Sequence, residues 1–139
     1  MDNFILHERL KNDTIEVIDL KLCRVLLMND SHFPWLILVP MRPGATEVHE
    51  LSKEDRSILI EEACAASRAI SSAFSSDKIN IGALGNLVPQ LHVHVVGRTR
   101  TDRAWPGPVW GSGPAVPYTT AQLEQTLTSL RSALSKEFA

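Results

Sequence analysis

Residues 85–98 carry the pattern that decides the fold, and in one-letter code they read GNLVPQLHVHVVGR. Successive side chains of an extended strand point to opposite faces, so Gln90, His92 and His94 share one face and the apolar residues between them share the other. The apolar face suits a hydrophobic core and leaves the polar face for a ligand. The stretch therefore predicts a strand over residues 91–96 with a site on its polar side.

The two histidines of this strand lie about 7 Å apart along one face. They can act on one small ligand, one as nucleophile and the other as proton donor or anion binder. The same spacing also forms half of many metal sites, but no carboxylate follows until Asp102. A purely structural pair is a further alternative. Polar residues at every second position of an otherwise apolar strand favour a functional site.

Apolar runs of strand length precede this stretch, with turn residues between them. The first run slips in phase between Val17 and Ile18, as a β-bulge would cause. The turn residues 29–34 separate the second run from the third, which is typical of an antiparallel meander. The predicted strands are 15–22, 23–28, 35–39, 78–84 and 91–96.

Caps and apolar stripes predict the helices. Residues 3–11 are expected to form a short helix with Asp2 or Asn3 as its cap. A capping pattern at Ser52 begins a long helix that runs to about residue 74, and Thr119 caps a last helix. The order of three strands, helix, two strands and helix predicts one α+β domain over the whole chain, with helices packed on a mainly antiparallel sheet.

Composition limits the possible functions. The chain has 139 residues and a formal net charge of −2, which disfavours a general nucleic-acid binder or membrane-surface binder. Cys23 and Cys64 lack metal-ligand spacing and are interpreted as core residues. The N-terminus lacks a signal-peptide pattern, and the longest apolar run is too short for a membrane span. We therefore expect a cytoplasmic protein.

The 85–98 stretch resembles the signature of the histidine triad family, in which three histidines alternate with apolar residues. Gln90, His92 and His94 occupy the three positions here, and the resemblance extends from residue 15 to about residue 111. It implies a five-stranded antiparallel sheet in each subunit, a ten-stranded sheet in a homodimer, and hydrolysis or transfer at a nucleotide α-phosphate. The other shared elements are LILVP at 36–40, RP at 42–43, ELS at 50–52, GN at 85–86 and WP at 105–106.

The resemblance also implies residue roles. His92 would be the nucleophile that forms a covalent nucleotidyl-histidine, with its ring oriented by the carbonyl of Gln90. His94 would hydrogen-bond a non-bridging phosphate oxygen. The site would need no metal or other cofactor, since imidazoles and backbone donors can stabilise the charge. The expected partners are a nucleotide, with a purine base expected, and a second copy of the chain.

Substrate-binding residues follow from the same resemblance. Asn86 would lie near the leaving group, and the backbone N–H groups of Leu87 and Val88 would help to bind the phosphate. Asn29 would contact the ribose hydroxyls, although a plain turn role beside Asp30 is an alternative.

The chain departs from the family pattern at three positions. Gln90 keeps a hydrogen-bonding side chain but has no cationic form. Trp35 stands where many relatives have another histidine, which is expected to remove a polar contact from the site. Leu87 replaces a hydroxyl residue that helps to protonate amine leaving groups, so dinucleoside polyphosphates or similar esters are favoured over phosphoramidates.

Two features beyond the signature stay open on sequence alone. Arg98, Arg100 and Arg103 could attract a polyphosphate or form a solvated run, and Trp105 could reach a neighbouring active site or a dimer contact. The favoured function is a nucleotidyl hydrolase or transferase. The alternatives are a nucleotide-binding protein with little turnover and a metal-dependent enzyme built on His92 and His94.

Overall fold

A computed structural model describes residues 3–139, which form a five-stranded sheet with helices. The strands follow in the order β1-β2-β3-β5-β4, and every neighbouring pair is antiparallel. This arrangement confirms the predicted α+β class. The strands are β1 (Thr14–Asp19), β2 (Cys23–Met28), β3 (Trp35–Pro40), β4 (Lys78–Gly82) and β5 (Val93–Arg98).

The predicted bulge lies in β1, where the pairing with β2 shifts between Glu16 and Ile18. The bounds of β2 match the prediction and β3 ends one residue later, whereas β1, β4 and β5 each have an end that differs by two or three residues. β4 ends at Gly82, and β5 begins at Val93, so His92 precedes the regular strand. The irregular backbone between these strands is the segment that reaches the site.

The helices are α1 (Glu8–Asp13), α2 (Lys53–Phe74) and α3 (Thr120–Glu137), with a single 3-10 turn at Val48–Glu50. Ser52 and Thr119 cap α2 and α3 as predicted, each accepting a hydrogen bond from a backbone N–H three residues later. Among the described residues, no helix has the length and apolar character needed to cross a membrane.

The first helix was predicted wrongly over residues 3–11. It begins at Glu8, and the cap is His7, whose side chain accepts a hydrogen bond from the N–H of Arg9. The proposed cap Asp2 lies outside the described residues. The side-chain amide of Gln90 binds backbone groups of Ile5 and His7, which holds the preceding residues outside the helix.

The two faces of the sheet are covered differently. α2 and α3 pack on one face, which we call the helix-covered face. Residues 3–7, α1 and the long connection 99–119 cover the other, the loop-covered face. Alternate residues of β3 and β5 contribute to each: Leu36, Leu38, Val93 and Val95 face the helices, and Trp35, Ile37, Val39 and Val96 face the loops.

A buried ion pair anchors the connection 99–119. The guanidinium of Arg98 donates to both carboxylate oxygens of Asp102 at 2.8 and 3.0 Å and to the side chain of Asn80 at 2.9 Å. It also lies 5.7 Å from the ring centroids of Phe33 and Trp105. Arg98 is therefore a structural residue, and neither sequence-based alternative for it, polyphosphate attraction or a solvated run, is correct.

Candidate active site

His92 is buried just before β5, and its ring is fixed by the preceding backbone. Nδ1 lies 2.7 Å from the carbonyl oxygen of Gln90, which is the contact expected from the sequence. A carbonyl oxygen can only accept, so Nδ1 carries a proton, and in the neutral ring the lone pair is at Nε2. In this form Nε2 of His92 can act as a nucleophile.

His94 lies in β5 on the loop-covered face, with its ring centroid 5.0 Å from that of His92. Its Nδ1 accepts a hydrogen bond of 3.0 Å from the indole N–H of Trp35. Burial, together with the neighbouring His92, lowers the pKa of His94 from 6.5 to about 4, so the ring is neutral at neutral pH. The expectation that Trp35 removes a polar contact is wrong, because the indole supplies one.

Trp110 forms a further wall of the site and was missed in the sequence. Its ring lies edge-on to His94 and Trp35, with centroid distances of 5.4 and 6.4 Å. Gly82 pairs with His94 across the sheet, and a Cβ at Gly82 would come within 3.0 Å of the Trp110 ring. The glycine thus leaves room for the indole, and a glycine inside a strand is the signal that could have revealed it.

A cavity of about 410 Å³ opens beside the two imidazoles. The predicted segment 85–88 lines it, including Asn86, Val88 and the side chain of Leu87, which is 78% exposed. Arg103, one of the three arginines that the sequence offered for attracting a polyphosphate, lies on the opposite side of the cavity. Other residues of the opposite walls were not predicted. They are Arg9, Leu10, Asp13, Met28, Asp30, Ile37, Val109 and Trp110.

The structure does not bring Gln90 to the cavity lining. Its Oε1 accepts a hydrogen bond from the His7 N–H at 2.8 Å, and its Nε2 donates to the Ile5 carbonyl at 2.9 Å. Because Gln90 precedes the regular strand, the alternation that predicted a shared face with His92 and His94 does not extend to it. Its side chain binds the backbone of the N-terminal segment, and its backbone carbonyl orients the ring of His92.

Asn29 is also absent from the cavity lining. Its Oδ1 accepts a hydrogen bond from the Tyr118 N–H at 3.0 Å, which ties the turn after β2 to the chain just before α3. The next residue, Asp30, is 3% exposed and does line the cavity, close to Arg103. The turn places Asp30 on the cavity side, so it is the better candidate for contacting a ligand hydroxyl.

Trp105 and Cys23 lie outside the cavity lining. The ring of Trp105 packs against Arg98 of its own chain, and Cys23 is fully buried in the core. Within residues 3–139, no cluster of three or more His, Cys, Asp or Glu side chains is arranged to hold a metal ion.

Comparison with solved structures gives closely similar chains. A histidine triad protein from Marinobacter aquaeolei is 47% identical, with a TM-score of 0.93 over 96% of this chain and 97% of that chain. Histidine triad proteins from Bradyrhizobium japonicum and Sinorhizobium meliloti are each 44% identical, with TM-scores of 0.92 over 94% of this chain and 98% and 97% of theirs. A search of curated proteins gives no match.

The family comparison agrees with the fold and with the paired imidazoles. Residues 9–101 match the HIT domain, a stretch that contains all five strands and both site histidines. Proteins of this family are generally nucleotide-binding hydrolases or transferases. The chain therefore belongs to the HIT domain family.

Proposed function

We propose that this protein is a nucleotidyl hydrolase or transferase that acts at a nucleotide α-phosphate through a covalent intermediate on His92. The observation that carries the proposal is that Nδ1 of His92 donates a hydrogen bond whereas Nδ1 of the adjacent His94 accepts one. His92 presents a lone pair at Nε2, and His94 presents an N–H at Nε2. A nucleophile and a neutral donor therefore lie side by side at one cavity.

The reaction follows from these two atoms. Nε2 of His92 attacks the α-phosphorus, a phosphorus–nitrogen bond forms, and the bond to the leaving group breaks with its electron pair. His94 donates to a non-bridging oxygen, where negative charge develops. Water then attacks the phosphorus, the phosphorus–nitrogen bond breaks with its electron pair returning to Nε2 of neutral His92, and the proton of the water goes to solvent. Another acceptor in place of water gives transfer.

The residues that line the cavity suit a nucleotide ligand and favour one class of leaving group. Leu10, Met28 and Ile37 provide apolar surface for a base, with a purine expected, and Asp30 offers a carboxylate for ribose hydroxyls. Leu87 supplies no proton to a departing group. A leaving group that is stable as an anion needs little such help, which favours dinucleoside polyphosphates.

The test compares His92→Ala with His49→Ala, which changes an exposed histidine in the turn before α2. Turnover is measured on dinucleoside polyphosphates, adenylyl sulfate and nucleoside phosphoramidates, with and without a chelator. We expect His92→Ala to lose at least about a thousandfold in turnover while keeping its fold, and His49→Ala to match the wild type.

Trapping the covalent intermediate provides a second test of the proposal. Mass spectrometry of rapidly quenched wild type should show one added nucleotidyl group on His92. Activity of His92→Ala within tenfold of the wild type would exclude the nucleophile role. Tight AMP binding without turnover of any substrate would support a binding protein instead, and loss of activity with chelator would support a metal enzyme.

We also propose a homodimer that pairs across β4. This strand forms one edge of the sheet, and Ile81 is 54% exposed and Leu84 49% exposed beside it. An unpaired apolar edge favours pairing, and a two-fold contact closes the assembly. Light scattering should give a dimer for the wild type and for Val48→Asp but a monomer for Ile81→Asp; a monomeric wild type at micromolar concentration would refute the proposal.

A further inference from the structure

Trp35 makes a contact that determines the chemistry of His94. We propose that Trp35 is a positioning residue that locks His94 as the tautomer protonated on Nε2, so that this ring is a permanent neutral donor toward an anionic ligand. The ligand part of this inference rests on the proposed function. The tautomer part concerns the protein alone and is tested separately.

The strand register brings the two residues together. On β3, Ile37 pairs with His94 and Trp35 pairs with Val96, so Trp35 and His94 are diagonal neighbours on the same face. Aromatic side chains reach across such a diagonal. The resulting hydrogen bond from Trp35 Nε1 to His94 Nδ1 is 3.0 Å long and buried.

Only one direction is possible for this hydrogen bond, from the indole of Trp35 to His94. An indole nitrogen has a proton and no available lone pair, so it only donates. Nδ1 of His94 must therefore present its lone pair, and the single proton of the neutral ring lies on Nε2. A cationic ring would carry a proton on Nδ1 facing the indole N–H, so the same contact disfavours the charged form.

Neighbouring rings hold the indole in place. Trp35 is 7% exposed and packs edge-on against Phe33 at 6.2 Å and Trp110 at 6.4 Å between ring centroids. A histidine at position 35 could turn and present either a donor or an acceptor. Tryptophan can only donate, so it permits a single tautomer of the neighbouring neutral histidine ring.

The lock gives the Nε2 atoms of the two site histidines different roles. The carbonyl of Gln90 leaves a lone pair on Nε2 of His92, and the indole of Trp35 leaves a proton on Nε2 of His94. If His94 took the other tautomer, two lone pairs would face an anionic ligand and repel it. Trp35 also lines the cavity, but its effect on the position of this proton is exerted through His94.

Nitrogen NMR of histidine-labelled protein at neutral pH tests the lock. Trp35→Phe removes the donor but keeps an aromatic ring. Trp110→Phe is the matched control, because Trp110 also contacts the His94 ring and its Nε1 is buried with no partner in the described part of the chain. We expect His94 to be protonated on Nε2 alone in the wild type and in Trp110→Phe.

In Trp35→Phe the population of His94 protonated on Nδ1 should rise at least about fivefold, as expected for loss of one neutral hydrogen bond. If that variant does not fold, a scalar coupling between Trp35 Nε1 and His94 Nδ1 in the wild type tests the same contact. A wild-type proton on Nδ1, an unchanged tautomer in folded Trp35→Phe, or an absent coupling would overturn the lock. A confirmed lock in a protein without turnover would instead reject the proposed function.

Discussion

The two faces of the sheet are stabilised by different interactions. On the helix-covered face, apolar stripes of α2 and α3 pack against alternate strand residues, and Glu62 is a buried charge whose carboxylate accepts from the N–H groups of Leu22 and Cys23. On the loop-covered face, polar contacts fix segments that have little regular structure. They include the Arg98–Asp102 pair, the Gln90 contacts and the Trp35–His94 bond.

This difference separates stability from function within one domain. Apolar packing is non-directional and roughly proportional to buried area, which suits a core. A reactive site needs fixed directions for donors and lone pairs, which hydrogen bonds supply. Changes on the helix-covered face should therefore affect unfolding alone, and changes on the loop-covered face should affect both unfolding and turnover.

The largest effect on stability is expected from the ion pair beneath the 99–119 connection. Asp102→Asn leaves Arg98 buried with its charge uncompensated, which should lower the free energy of unfolding by about 3–5 kcal/mol. Val109 and Trp110 of the same connection line the cavity, so turnover should fall as well. Urea unfolding and turnover at neutral pH measure both effects.

The pH dependence of this change has a definite sign. Hydrogen bonds from Arg98 hold the pKa of Asp102 below its usual value, so the pair stabilises the fold above the unfolded pKa of about 3.9. That contribution is lost as the pH falls through the lowered folded pKa. The stability difference between wild type and Asp102→Asn should therefore shrink in acid; a constant difference would contradict the assignment.

A smaller effect, confined to stability, is expected on the helix-covered face. Leu38 is fully buried in β3 beneath the helices. Leu38→Ala should lower the free energy of unfolding by about 2–4 kcal/mol through lost burial and a cavity. Turnover per folded molecule should stay within twofold of the wild type, and a tenfold loss would show that the two faces are not separable.

The sequence predicted the helix-covered face better than the loop-covered face for the same physical reason. Periodicity reports apolar stripes, so β3, α2 and α3 were placed within one or two residues of their ends. The loop-covered face depends on contacts between residues distant in sequence, such as Gln90 with His7 and Trp35 with His94. Residue type alone does not give the partner, so Trp110 and Asp30 were missed.

The smallest effect is expected at Gln90. Its side chain binds the N-terminal segment, and its backbone carbonyl binds His92. Gln90→Glu keeps an acceptor for the His7 N–H but loses the donor to the Ile5 carbonyl, which should cost about 1 kcal/mol. Hydrogen exchange of the amides at residues 4–7 should accelerate about fivefold. The backbone carbonyl that orients His92 is unchanged, so turnover should stay within about tenfold of the wild type. A loss beyond a thousandfold in the folded variant would show that the side chain acts in the reaction, which its position outside the cavity lining argues against.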